Sequence, residues 1–370
     1  MILDDLDAAA ARAELRGVLE SLLARVSPRE TAVARAEAMA DGRYDTGLWE
    51  RLSREIGAVG LCVPEKWGGS GATFAEIAVV FEACGRALSA VPLLGSWLAA
   101  EAIARGGESA AAVEWLPRLA DGSCTGCAAW PQTLPRAVSD GAGWRLTGEI
   151  DLVVDGVTAD VLVVPAQTAD GPLLAAATLD GVTRVQQQSL DLTRQIARLS
   201  LRDTAAVSLA TGEDVPAFRE SLRDLAVTAL CCEQLGVAEQ ALEDAVSYAR
   251  MRVQFGRLIG SFQAVKHLLA DMATAADLAR SLVEHAVWAA AERPSELRSA
   301  AAMARLQADR AACFVSGENI QVHGGIGFSW EHPAHLQFRK ARGNAALLGD
   351  RSFFADRLLT DLGVTAGGAS

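Results

Sequence analysis

A chain of 370 residues exceeds one ordinary core, so two or three domains, or one large assembly of helices, are expected. Hydrophobic residues make up 51% and charged residues 22%, and no apolar run approaches the roughly 18 residues that a bilayer span requires. The formal net charge of −12 argues against non-specific nucleic-acid binding, and with only Lys66, Lys266 and Lys340 among 34 basic residues, local charge recognition falls to arginine, whose planar fork suits phosphates.

The opening stretch MILDDLDAAAARAELRG carries acids where a secretory signal would carry bases, which points to a soluble cytoplasmic protein. From about Leu6 to Leu119 apolar residues recur three or four apart in alanine-rich segments, broken at SPRE and VPEKWGGSG. This predicts an N-terminal helical domain over 1–119, in which Phe74, Ile77, Val80, Phe81 and Cys84 form one buried stripe. From about Asp121 to Val215 the period becomes two: GWRLTGEIDLVVDG, ADVLVVPAQ, LLAAATL and ARLSLRDTAAV are separated by Asp-Gly and Gly-Pro turns, predicting a small β domain over 120–215. After Pro216 the helical period returns in three segments of about thirty residues each, long for globular helices and suited to a bundle over 216–370.

Seven scattered cysteines fit a reducing compartment without a disulfide framework. Cys124-x-x-Cys127 has no second pair and no nearby histidine, so it reads as packing. His332 and His335 are separated by Pro333 and lack a carboxylate to complete a ligand set, so no metal site is expected. The stretch QVHGGIGFSWEHPAHLQFRKARGNAALLGD, 321–350, is more pointed. Its first half places Gly324, Gly325 and Gly327 after a helix, where backbone N–H groups can approach a nucleotide with no Cβ in the way.

The helical, β, helical order and three phrases, LCVPEKWGGSG, YARMRVQFGRLIGSFQAVKHLLADM and QVHGGIGFSWEHPAHLQFRKA, closely resemble the FAD-dependent acyl-CoA dehydrogenases over essentially the whole chain. The resemblance implies a mostly α fold with a central β domain: an N-terminal helical domain, a middle β-barrel-like domain and a C-terminal four-helix bundle. It implies FAD as cofactor, an acyl-CoA thioester as substrate, an electron acceptor such as an electron-transfer flavoprotein, and subunits that share flavin sites. In that family the arginine of the RxxFG turn and the glutamine of the following FQ reach a neighbour's FAD; here these are Arg252, Phe255 and Gln263. The QxxGG segment, here Gln321, Val322, His323, Gly324 and Gly325, contacts the adenosine and pyrophosphate side. The chemistry agrees, since Arg252 offers a bidentate donor to pyrophosphate oxygens.

The pattern breaks where the reaction needs a base. The family removes a proton next to the thioester carbonyl with a glutamate, and aligning FRKARGNAALLGD without gaps puts Leu348 at its position. A second family position, early in the first C-terminal helix, falls on Ala226. The loop AAWPQTLPRA stands where the family cups the isoalloxazine ring, and Leu152 and Val154 stand where it carries tryptophan and threonine. Asp350 is the carboxylate nearest the usual place, and it also suits an N-cap for RSFFADRLL. The expectation is a catalytically incomplete subunit of a heteromeric acyl-CoA dehydrogenase, paired in an α2β2 assembly with a second family chain that supplies the glutamate. A self-sufficient homo-oligomer using Asp350, and a non-enzymatic acyl-CoA-binding or structural paralogue, stand as alternatives.

Overall fold

The computed structural model describes residues 2–39, 42–141 and 143–364. Six helices come first: α1 (Ile2–Val26), α2 (Ala32–Ala38), α3 (Thr46–Arg54), α4 (Phe74–Ala87), α5 (Leu93–Arg105) and α6 (Ala110–Ala120). The breaks have local causes. Pro28 follows the end of α1, and Pro64 opens a short 3-10 turn at Glu65–Trp67. Asp45 and Ser109 accept from Leu48 N and Ala112 N to cap α3 and α6. Phe74, Ile77, Val80, Phe81 and Cys84 are all buried, so the expected stripe of α4 faces a core.

Strands then follow: β1 (Gly126–Ala128), β2 (Arg136–Ser139), β3 (Trp144–Val154), β4 (Val161–Thr168), β5 (Gly171–Thr178), β6 (Thr183–Gln187) and β7 (Ile196–Thr211). The ladder runs β4-β2-β3-β7-β5, and β5 returns to β4 over the full register Val161↔Thr178 to Thr168↔Gly171, which closes a five-stranded barrel. β1 adds in parallel to β4 and β6 antiparallel to β7. Leu146, Ile150, Leu162, Val164, Leu173 and Leu199 belong to its apolar filling.

The C-terminal part comprises α7 (Asp214–Met251), a hairpin of β8 (Val253–Gln254) and β9 (Arg257–Leu258), α8 (Gln263–Glu292), α9 (Leu297–His323), α10 (Ala334–Ala345) and α11 (Arg351–Asp361). Helix α7 begins two residues before Pro216, which the first turn tolerates because its N–H groups have no intrahelical partner. Four helices meet in one core: Val237, Ala238, Ala241 and Ala245 of α7, Met272 of α8, Ala312 and Val315 of α9, and Ala341 of α10. The chain packs as two compact units, Met1–Ala34 with Ala78–Ser89 and Val227–Ser370, and Arg35–Ile77 with Ala90–Ala226.

Candidate cofactor-gripping site

The turn after α7 is built to project side chains. Phe255 and Gly256 both have positive φ, 51° and 76°, which makes the two-residue link between β8 and β9 the tight turn whose twist matches a hairpin. A left-handed phenylalanine is strained, yet this one is 91% exposed, touching only the edge of the Phe262 ring at 6.2 Å among the aromatic contacts. Arg252 is fixed through its backbone, its N–H donating to Tyr248 O at 2.9 Å and its carbonyl accepting from Ile259 N at 2.8 Å. Its guanidinium is exposed and has no partner among the described residues. Gln263, the first residue of α8, is exposed as well. Arg257 differs: its guanidinium lies 3.9 Å from the centre of the Phe262 ring and packs there.

The second candidate segment is the end of α9. Gln321 is exposed, Val322 half-buried and His323 buried, and the helix stops at Gly324, whose φ of 62° suits glycine. Three glycines here have three different reasons. Gly324 answers to its backbone conformation. Gly327 answers to crowding, because a Cβ there would lie 2.7 Å from His323 Cβ and from the Ile320 carbonyl. Gly325 has neither a positive φ nor any atom within 4 Å of the place a Cβ would occupy. Among the described residues nothing crowds a side chain at 325, so the backbone there is open to the approach of a ligand. The exposed Arg252 fork, unpaired among the described residues, and the open backbone at Gly325 are each compatible with a phosphate ligand.

No base stands at the expected places. Leu348 is half-buried and left-handed, with φ 63°, in a loop held by Arg305, which donates to the Asn344 and Leu347 carbonyls at 2.7 and 2.8 Å. Ala226 is fully buried within α7. Asp350 caps α11, its Oδ1 accepting from Phe353 N at 2.8 Å, in agreement with the sequence. In the barrel, Leu152 is 67% exposed with φ 56°, at an irregularity in the β3–β7 register. Cys124 and Cys127 are both buried; burial pushes the Cys124 thiol up to about 12 and raises Cys127 as well, which suits packing and opposes thiolate chemistry. No cluster of three or more metal-ligating side chains exists among the described residues, and no helix among them is long and apolar enough to cross a membrane.

The sequence did not reveal what stands behind the second candidate segment. Asn319, Gln337, Asp244 and Arg29 form a continuous hydrogen-bonded series below it, and His323 is stacked on Tyr248 at 4.2 Å and tilted against His332 at 4.5 Å. The available signal is in α10, where the polar residues Gln337, Lys340 and Asn344 recur at the spacing of a buried face, and all three are buried.

Comparison with known proteins defines the class. Residues 14–123 match the acyl-CoA dehydrogenase N-terminal domain and residues 224–355 the acyl-CoA dehydrogenase C-terminal domain. The acyl-CoA dehydrogenase IpdE2 of Mycobacterium tuberculosis is 36% identical over 343 residues, which cover 91% of this chain and 92% of that protein. Two solved structures superpose at TM-score 0.86 and 31% identity over 96% of this chain: the Tcur3481-Tcur3483 steroid ACAD, 99% covered, and the ChsE4-ChsE5 complex from Mycobacterium tuberculosis, 98% covered. The chain belongs to the acyl-CoA dehydrogenase family, a family of flavoprotein oxidoreductases whose cofactor is FAD.

Proposed function

We propose that this chain is one subunit of a heteromeric acyl-CoA dehydrogenase, gripping the adenosine and pyrophosphate half of a shared FAD while a second family chain supplies the base. This reading is supported by the exposed Arg252 and open backbone at Gly325 together with leucine and alanine at the two positions that the sequence resemblance aligns with the family's glutamate.

Bound flavin supplies the acceptor for the hydride that leaves the β-carbon of an acyl-CoA thioester. This chain's contribution is binding and orientation. Arg252 would donate N–H bonds to pyrophosphate oxygens, the exposed backbone at Gly324 and Gly325 would receive the phosphate side, and Gln263 and Gln321 would add exposed carboxamides. Leu348 and Ala226 cannot take the proton next to the carbonyl, so it passes to a carboxylate of the partner chain. Asp350 is occupied as a helix cap, which counts against the self-sufficient alternative. Phe255, Ile326 and Phe328 leave apolar side chains exposed beside the two grips, and the partner chain covers them. The pairing named in the ChsE4-ChsE5 complex supports a two-chain assembly, and the steroid ACAD among the similar structures makes a steroid-derived acyl-CoA the first substrate class to try. An electron-transfer flavoprotein is the acceptor this reading expects.

The test is flavin content. Purified alone, the chain carries well under one FAD per copy and turns over no acyl-CoA; co-purified with its partner, it yields a yellow, active complex. A yellow homo-oligomer with full occupancy and turnover sinks the reading.

A further inference from the structure

The end of α9 is tied into the fold by a polar relay that apolar packing could have replaced. Asp244 on α7 receives both terminal nitrogens of Arg29 and, at 2.9 Å, the Nε2–H of Gln337 on α10. Gln337 accepts at Oε1 from Asn319 Nδ2 on α9 at 2.8 Å. One turn further along α9, the Asn319 carbonyl faces His323 Nδ1 at 2.9 Å, which makes Nδ1 the protonated ring nitrogen. His323 is the last residue of the helix, and Gly324 and Gly325 follow it. Gln337 and Asn319 are 1% and 0% exposed.

Stability alone does not explain this arrangement. Replacing both members of a buried hydrogen-bonded pair by apolar groups of similar shape is close to neutral. The pair also leaves Asn319 Oδ1 buried without a hydrogen-bond partner among the described residues. What a series of directed donors and acceptors adds, and leucines do not, is one fixed rotation and axial position of α9 against α7 and α10. The part of α9 so fixed is the part that carries Gln321 to Gly325.

We propose that Gln337 and Asn319 are positioning residues for this grip, acting through Asp244 and His323 to hold the Gln321–Gly325 backbone where flavin phosphates meet it. The proposal rests on the reading that this segment contacts FAD. It predicts a separation of stability from binding. The double variant Asn319→Leu with Gln337→Leu keeps a melting temperature close to the parent's. It binds FAD at least about ten-fold more weakly in the assembled complex, as expected of a site whose support is loosened, and speeds amide exchange at 320–327 in the full chain. The swap Asp244→Asn with Gln337→Glu keeps the net charge. The carboxamide it places on α7 donates to the carboxylate it places on α10, and that carboxylate still accepts from Asn319. The swap keeps the two links that join positions 319, 337 and 244 but gives up one of the two Arg29 bonds at position 244, so it binds FAD more weakly than the parent and more tightly than the double leucine variant.

Calorimetry, hydrogen exchange and FAD titration of the complex separate the outcomes. Unchanged exchange and unchanged FAD affinity in the double leucine variant overturn the proposal and leave the flavin reading standing. A parent complex that binds no FAD removes the flavin reading and overturns the proposal with it, even where exchange at 320–327 responds. A fall in affinity that is as deep in the swap as in the double leucine variant makes the pair simple packing and also overturns it.

Discussion

Arg252 and His332 show how single side chains here are set up by what surrounds them. Arg252 sits at a helix end with a fixed backbone and an unpaired guanidinium, so its removal disturbs no partner among the described residues. A charge-assisted hydrogen bond contributes about 1.5–3 kcal/mol, so Arg252→Ala weakens FAD binding by the assembled complex by roughly 10- to 100-fold and leaves the fold unchanged. Arg252→Lys recovers part of the loss, because the charge remains and the fork does not. Arg250, exposed in the last turn of α7, is the control; Arg257 is unsuitable, since its packing on Phe262 lies next to Gln263. Equal small losses for Arg250→Ala and Arg252→Ala make Arg252 an ordinary surface charge. His332 carries a pH signature. Burial, and then the neighbouring His323, push its pKa below the ordinary histidine value, against the upward pull of Asp244. The fold favours the neutral ring, so the unfolded chain takes up the proton first. The stability contribution is complete above about pH 6.5 and is lost as pH falls from there through the lower folded value. His332→Asn flattens that part of the stability profile, which chemical denaturation at a series of pH values measures; an unchanged slope refutes it.

At the scale of elements, the contact between α4 and α7 sets the tolerance of the bundle. A Cβ on Gly236 would lie 2.0 Å from the Glu82 carbonyl, and one on Gly85 would lie 2.2 Å from the Glu233 carbonyl, so each helix presses a glycine against the other's backbone. Alanine gains up to about 1 kcal/mol over glycine in helix propensity. The overlap is with backbone that cannot swing away, and overpacking typically costs about 1–3 kcal/mol, so the steric term wins. Gly236→Ala is expected to lower the thermal midpoint by a few degrees, followed by circular dichroism; a raised midpoint contradicts the packing. Much of this architecture was legible in the sequence. The switch from period 3.6 to period 2 and back marked the barrel, because a strand such as β7 alternates between its filling and the outside, although β4 and β5 are buried along most of their length. Asp350 was legible as a cap because Asp before an apolar-periodic segment is a local signal. The hairpin at Val253–Leu258 was not, since its turn is Phe-Gly where Asn-Gly or Asp-Gly is the usual mark. The contacts of Gln337, Lys340 and Asn344 with Asp244 and Glu233 were hidden for another reason. They join residues about a hundred positions apart, and only packing decides which buried polar groups meet.

For the whole molecule, the distribution of functional parts along one chain limits what an assembly can do. Arg252, Gln263 and Gln321 to Gly325, the proposed ADP-side grips, belong to the unit containing most of α7 and all of α8 to α11, while the barrel, in the other unit, carries Leu152, Val154 and the AAWPQ loop, which the sequence resemblance aligns with the family's ring pocket. On the proposed reading, a flavin site is completed where a different family member supplies the ring pocket and the glutamate. In the proposed complex with two copies of each chain, each chain would lend its grips to one kind of pocket, and only the partner's barrel would finish a pocket. The expected content is two flavins in an α2β2 tetramer, which native mass spectrometry counts directly. Installing a carboxylate at the half-buried Leu348 position, as Leu348→Glu, leaves that count at two, because the ring pocket and not the base limits flavin occupancy. Four flavins per tetramer in the parent would mean that this barrel binds the ring after all, and the division of labour between the two chains would have to be abandoned.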